Sequence, residues 1–207
     1  MIIAIDGYSC TGKSTMANLL AQELKFKQIN TGLIYRYFGF KLLQNSITSK
    51  NFTSKERDIK RVISDVKINL DELEKNILIL KEKNVSEIGK LIAKDPYVRD
   101  KIGSYINAIS LNTNIIVEGR DIGTTVFPNA DYKFFFFAND EIRAKRLCEE
   151  RGNTDFEETL KEIRERDNDD ITRENSPLKK SKNAIEIDTS IKNKMEILKQ
   201  ILNVIKR

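Results

Sequence analysis

Apolar residues in this chain occur in two patterns: short unbroken runs and longer segments with helical spacing. "MIIAID" (1–6) reads as a buried strand, and a helical pattern follows from about Lys13 to Leu24. A short strand near 26–29 leads to Thr31, which is expected to cap the helix "GLIYRYFGFKLLQ". "TSKERDIKRVISDV" (53–66) has the spacing of an amphipathic helix with a Ser/Thr cap. The stretch 67–85 breaks this rhythm, and "VKINL" and "NILILKE" predict two short strands paired as a hairpin around "DELEK". Helical spacing returns over 87–94 and, after Pro96, over 97–111.

The last third alternates again. "NIIVEGRD" (114–121) is a strand of four apolar residues with charges at its C-terminal end, and "YKFFFFA" (132–138) is the most apolar strand. Successive strand residues point to opposite faces, so four phenylalanines in a row suit a strand buried on both sides rather than a base-stacking platform. The helix "DEIRAKRLCEER", a charged helix over about 155–170, the strand "AIEID" (184–188) and the helix "KNKMEILKQILNVIK" complete the pattern. Five short apolar strands separated by helices predict an α/β fold, with a parallel sheet covered by helices on both faces.

Composition narrows the possibilities. With 207 residues, 40% hydrophobic and 32% charged, the chain suits one soluble domain, or a domain with a small insertion. No apolar run approaches the roughly 18 residues of a membrane span, and the N-terminus shows no secretory leader pattern. Two cysteines far apart, Cys10 and Cys148, suit a reducing compartment, so the expected location is cytoplasmic. The net charge of +5 is scattered, which fits a solvated surface serving an anionic small ligand better than a nucleic-acid face. There is no histidine, which excludes histidine triads and histidine–zinc sites.

"GYSCTGKS" (7–14) fits G-x-x-x-x-G-K-[ST]. The glycines let successive backbone N–H groups turn inward around an anion, and the following helix N-terminus adds its dipole. The ATP-binding set is therefore Gly7, Tyr8, Ser9, Cys10, Thr11, Gly12, Lys13, Ser14 and Thr15, with Lys13 on the β- and γ-phosphates and the Ser14 hydroxyl on Mg²⁺. By chance the pattern would arise in about one chain in a hundred of this length. Cys10 reads either as a small filler or as a thiol near cationic donors.

Three further places carry two readings each. Arg120 and Asp121 follow a buried strand whose C-terminal end faces the ligand crevice of a parallel sheet, where an arginine can bind phosphate. They equally suit a strand-end turn with an ion pair. Arg36 lies near the first turns of a helix after the second strand, at the crevice mouth or simply in solvent. "EIRERDNDDITRENSP" (162–177) pairs Glu162 with Arg166, Arg166 with Asp170 and Asp169 with Arg173 at i,i+4. That suits a solvated helix, or a lid whose arginines close on transferring phosphates.

Taken together, these residues resemble the bacterial cytidylate kinase family of nucleoside monophosphate kinases. The likeness rests on "IAIDGYSCTGKST", "TGLIYR", the strand pair around "VKINL…NILILKEKNVS", "PYVR", "EGRDIGTTVFPNADYKFFFFA" and "IRERDNDDITRENSPL". It implies a P-loop core (about 1–30, 112–154 and 178–207), a monophosphate-binding insertion (about 31–111) and an arginine-bearing lid (about 155–177). It also implies transfer of the ATP γ-phosphoryl group to CMP or dCMP, with Mg²⁺ accompanying ATP. A kinase for UMP or another small acceptor, and a non-catalytic nucleotide-binding protein, are the alternatives. By matching position, Lys13, Arg120, Arg166 and Arg173 are the expected catalytic groups. Thr31, Arg36, Arg120, Asp121, Asp170 and Arg173 are the expected acceptor-binding ones. Small-molecule substrates, no nucleic acid, no membrane and a monomeric chain complete the expectation. The chain departs from the family pattern in three places: Asn30 stands where Asp is usual, "VSEIGK" (85–90) lacks the usual arginine, and "INA" (106–108) replaces a Gln-Arg.

Overall fold

The computed structural model describes residues 1–152 and 154–206; Asn153 and Arg207, assigned above to the core segments, lie outside the described residues. The chain forms two compact units, Met1–Ile29 with Ser110–Arg207, and Asn30–Ile109.

The first unit is built on five strands: β1 (Ile2–Gly7), β2 (Lys27–Asn30), β3 (Ile115–Glu118), β4 (Tyr132–Phe137) and β5 (Ile185–Asp188), in the order β2-β3-β1-β4-β5. β1 is central and parallel to both neighbours, with Ile5 beside Glu118 on one side and Phe134 on the other. β4 and β5 are also parallel. Ile3, Ala4 and Ile5 are fully buried, and Phe134, Phe135 and Phe136 nearly so. Both faces of the central strands are thus covered, as the unbroken apolar runs predict. On one face Ile3, Ile5, Phe134 and Phe136 pack on Met16 and Leu20 of α1 (Lys13–Leu24) and on Ile197 and Ile201 of a C-terminal helix, Lys194–Ile205. An Asn193–Glu196 capping box starts that last helix.

The second unit is all-helical: α2 (Thr31–Gln44), α3 (Glu56–Asp65), α4 (Leu70–Lys75), α5 (Ile77–Leu80), α6 (Lys83–Ile92) and α7 (Pro96–Ser110). Gly39 of α2 meets α6 at backbone distance: a β-carbon there would lie 2.8 Å from the Val85 carbonyl oxygen. At the same crossing, a β-carbon on Gly89 would sit 3.3 Å from Arg36 Cα.

The Ser/Thr cap expected for α3 is absent, since Lys55 is its N-cap and no side chain caps it, and two larger expectations fail here. No hairpin forms over 67–85. The Asn69 side chain accepts from the N–H groups of Asp71 and Glu72, and so caps a helix where the sequence pattern predicts the turn "DELEK". Leu73 and Leu80, seven residues apart, point inward, whereas Leu78 is 81% exposed. The apolar run "ILIL" is therefore a short helix that buries Leu80 alone. Second, Thr31 does not cap α2; it is already helical and buried. Asn30, in extended conformation, is the cap, its Oδ1 accepting from Leu33 N at 3.0 Å. Capping needs a side-chain oxygen, so Asn serves at this position as Asp does.

Candidate active site

β1 ends at Gly7, where φ is 145° and a β-carbon would lie 2.0 Å from the Phe136 carbonyl oxygen. Only glycine fits there. The loop then runs through Cys10 (φ 56°) and Gly12 (φ 83°), both in the left-handed region, into α1. Gly12 is the N-cap of α1, with no side-chain cap and no acidic residue in the first turn. The positive end of the helix dipole therefore faces the loop, where it favours an anion.

Lys13 lies buried in this loop, its ammonium donating to the Tyr8 carbonyl and, at 3.4 Å, to Thr11 Oγ1. Burial pushes its pKa well below the ordinary lysine value, with Arg120 and Arg166 pushing the same way and Glu118 opposing. Burial likewise lowers Arg166, again with Arg120 adding repulsion. Three cations therefore gather around a glycine loop and repel one another. Burial raises the Cys10 thiol against the pull of Arg166, Lys13 and Arg120, which makes Cys10 a filler rather than a thiolate. Cys10 and Cys148 are both free thiols.

Ser14 Oγ donates to Glu118 Oε2 at 2.8 Å, and Gln28 Nε2 donates to the other oxygen at 3.2 Å. Burial raises the Glu118 pKa, opposed by Ser14, Lys13 and Gln28. A hydroxyl that donates its proton keeps lone pairs for a hard cation. Among the described residues no three Cys, Asp or Glu side chains form a metal cage. One hydroxyl beside one carboxylate suits Mg²⁺, which retains waters and takes phosphate oxygens.

Arg120 and Asp121 stand just beyond the end of β3. The Asp6 carboxylate fixes the turn after them, a single π turn over Ile122–Val126, by accepting from Ile122 N at 2.8 Å and Gly123 N at 2.7 Å. Two further helices flank the site, α8 (Asp140–Glu150) and α9 (Phe156–Thr172). Arg120 Nε donates to Asp170 Oδ2 of α9 at 2.8 Å, and Arg173, just past α9, reaches Asp170 at 3.4 Å and Asp121 at 3.7 Å. Burial alone would raise the Asp170 pKa, but Arg120, with Arg166 and Arg173, holds it below the usual carboxylate value.

The structure thus brings together the loop Gly7–Thr15, Arg120, Asp121, Arg166, Asp170 and Arg173. Thr31 and Arg36 belong to the other unit, on α2, where Arg36 is half-buried over Gly89. The charged helix is not uniformly solvated. Thr159, Leu160, Ile163 and Asp167 of α9 are buried, and Glu162 takes its bidentate pair from Arg151. Sequence reasoning missed Asp6, Glu118, Arg143 and Asp167. For Asp6 and Glu118 a signal existed, since each is a carboxylate at the end of an otherwise apolar strand.

A parallel sheet whose central strand opens into a lysine-bearing glycine loop, with Arg120 after a neighbouring strand and Arg166 and Arg173 on and just past α9, defines a P-loop kinase. The family model for cytidylate kinase matches residues 3–207. A cytidylate kinase of Fusobacterium nucleatum subsp. nucleatum is 40% identical over 92% of this chain and 90% of its own. One from Clostridium botulinum (strain Langeland) is 39% identical over 99% and 97%. The chain belongs to the cytidylate kinase family. Among solved structures, TT1252 from Thermus thermophilus shares the fold with a TM-score of 0.52 at 20% identity, covering 99% of this chain and 95% of that one.

Proposed function

We propose that this protein transfers the γ-phosphoryl group of ATP to CMP or dCMP, releasing ADP and CDP or dCDP. Membership of the cytidylate kinase family supports the reaction. The observation that carries its chemistry is the geometry of the loop, in which positive φ at Gly7, Cys10 and Gly12, the buried Lys13 and the N-terminus of α1 form an anion-receiving cradle. The P-loop amides and Lys13 hold the β- and γ-phosphates. An acceptor phosphate oxygen attacks the γ-phosphorus in line, and no covalent enzyme intermediate is needed. Because a monophosphate is largely ionised near neutral pH, the protein supplies position and charge rather than a general base. That suits a chain without histidine. Arg120, Arg166 and Arg173 neutralise charge spreading over the transferring group. Thr31, Arg36, Asp121 and Asp170 serve the acceptor.

Ser14, oriented by Glu118, would hold Mg²⁺, which would neutralise phosphate charge when bound with ATP. The unit Asn30–Ile109 is assigned to the monophosphate, and the α8–α9 region to the lid. No helix among the described residues is long and apolar enough to cross a membrane. A monomeric, cytoplasmic enzyme is the working assignment.

The test is ADP release from Mg·ATP with CMP, dCMP, UMP, AMP, GMP or no acceptor. The highest kcat/KM for CMP or dCMP is expected. Preference for another acceptor, or turnover no higher than without acceptor, overturns the proposal.

A further inference from the structure

Asp167 is a nearly fully buried carboxylate on α9, next to Arg166, and the phosphoryl-transfer assignment gives it no part. Its Oδ1 accepts from both the backbone N–H (3.2 Å) and the hydroxyl (2.8 Å) of Ser9, in the middle of the P-loop. Its Oδ2 accepts from Arg143 of α8, itself buried. Arg143 in turn donates to the Ser9 carbonyl at 3.2 Å and to the Ala138 carbonyl at 3.1 Å, and its guanidinium lies 5.4 Å from the Tyr8 ring centroid. The Tyr8 carbonyl is the acceptor for Lys13. One carboxylate thereby joins the helix that carries Arg166 and leads into Arg173 to the N–H and hydroxyl of Ser9 and, through Arg143, to the Ser9 carbonyl and the Tyr8 ring beside the resting place of Lys13.

A buried carboxylate with three charge-assisted donors is a rigid joint. Three residues further along the same helix, Asp170 grips Arg120. The C-terminal half of α9 is therefore tied to the P-loop at Asp167 and to the arginine after β3 at Asp170. We infer that Asp167 is a positioning residue: it sets the P-loop in its phosphate-receiving conformation and holds Arg166 in register with Lys13. Any lid motion then pivots about Asp167, leaving the helix C-terminal to it in place.

The inference rests on the phosphoryl-transfer reading, but binding of a non-hydrolysable ATP analogue tests it without any acceptor. In the intact protein, Asp167→Asn keeps the shape and removes the charge. Its dissociation constant for Mg·AMP-PNP by calorimetry is expected to rise about tenfold, the scale of one lost hydrogen bond to a charged group. In turnover, kcat falls and KM for ATP rises, while KM for CMP stays within about twofold. Ser9→Ala, which removes only the hydroxyl partner, weakens the analogue to a smaller degree, and its effect vanishes in the Asp167→Asn background.

A lowered melting temperature with unchanged analogue affinity and an unchanged KM for ATP would make Asp167 purely structural and overturn the inference. Should Asp167→Asn fail to fold, Ser9→Ala decides alone: unchanged analogue affinity in that variant overturns it equally. Absence of CMP turnover in the wild-type protein, with analogue binding intact, would count against the activity and leave the joint standing.

Discussion

Arg120 and Asp170, fifty positions apart in the chain, form a half-buried ion pair in which Nε donates to Oδ2 at 2.8 Å. The pair holds the arginine side chain beside the P-loop lysine that it repels. Asp170→Asn is expected to lower kcat/KM for CMP by about tenfold or more, because a charged hydrogen bond is worth roughly 1.5–3 kcal/mol. Steady-state kinetics with CMP varied at saturating ATP check this. An unchanged kcat/KM would remove Asp170 from the acceptor side.

Lys13 is expected to cost stability where it sits. Burial and two neighbouring arginines disfavour its charge, so Lys13→Met should abolish turnover while leaving the melting temperature unchanged or raised. ADP release and thermal unfolding of the same preparation decide it. Near-normal turnover would sink the assignment of Lys13 to the transferring phosphates.

Asp6 gives a pH signature. Burial, only partly offset by the Gly123 and Ile122 amides, pushes its pKa up from 3.8 to about 6. The folded state thus binds a proton that the unfolded state has already released, and its stability falls as pH rises from about 4 to 6. At about 1.36 kcal/mol per pH unit, this amounts to roughly 3 kcal/mol. Carboxylates held low, such as Asp170 and Asp140, act in the opposite sense: their contribution is present above the usual carboxylate pKa and is lost only as pH falls below it. Urea midpoints of wild type and Asp6→Asn should therefore diverge progressively across pH 4–6. A pH-independent difference would show that Asp6 titrates normally.

Two glycines should respond in opposite directions to alanine. Gly7→Ala drives a β-carbon into the Phe136 carbonyl at an unfavourable φ, and should cost roughly 3 kcal/mol or more and abolish nucleotide binding. Gly103, inside α7, has open space where a β-carbon would stand, and should gain about 0.5–1 kcal/mol on conversion to alanine. Denaturant unfolding of the two variants separates the predictions.

The parts legible in sequence are those set by local spacing. Gly7, Gly12, Lys13 and Ser14 are read from one eight-residue window, and the strands β1 and β4 from their unbroken apolar runs. The joint of Ser9, Arg143 and Asp167 was not legible, because its members meet only after the sheet has aligned segments more than a hundred residues apart. The helices over 70–80 escape a sequence reading for a local reason: "ILIL" is an unbroken apolar run of strand length, yet only Leu80 of it is buried. The cap of α2 is displaced by one residue from its expected place because Asn30 and Thr31 are both good caps, and only the backbone conformation tells them apart.

The position of β1 has a consequence in time. Ile3 lies between Ile116 and Tyr132 in the finished sheet, yet it is synthesised more than a hundred residues before either of them. The helices of Asn30–Ile109, which depend on neighbours close by in the chain, are complete before either partner of β1 has been made. During synthesis "MIIAID" waits for its first partner until translation has passed Glu118, and for its second until it has passed Phe137, an interval in which an unpaired apolar strand is prone to aggregate. A holding chaperone would act most usefully before that point.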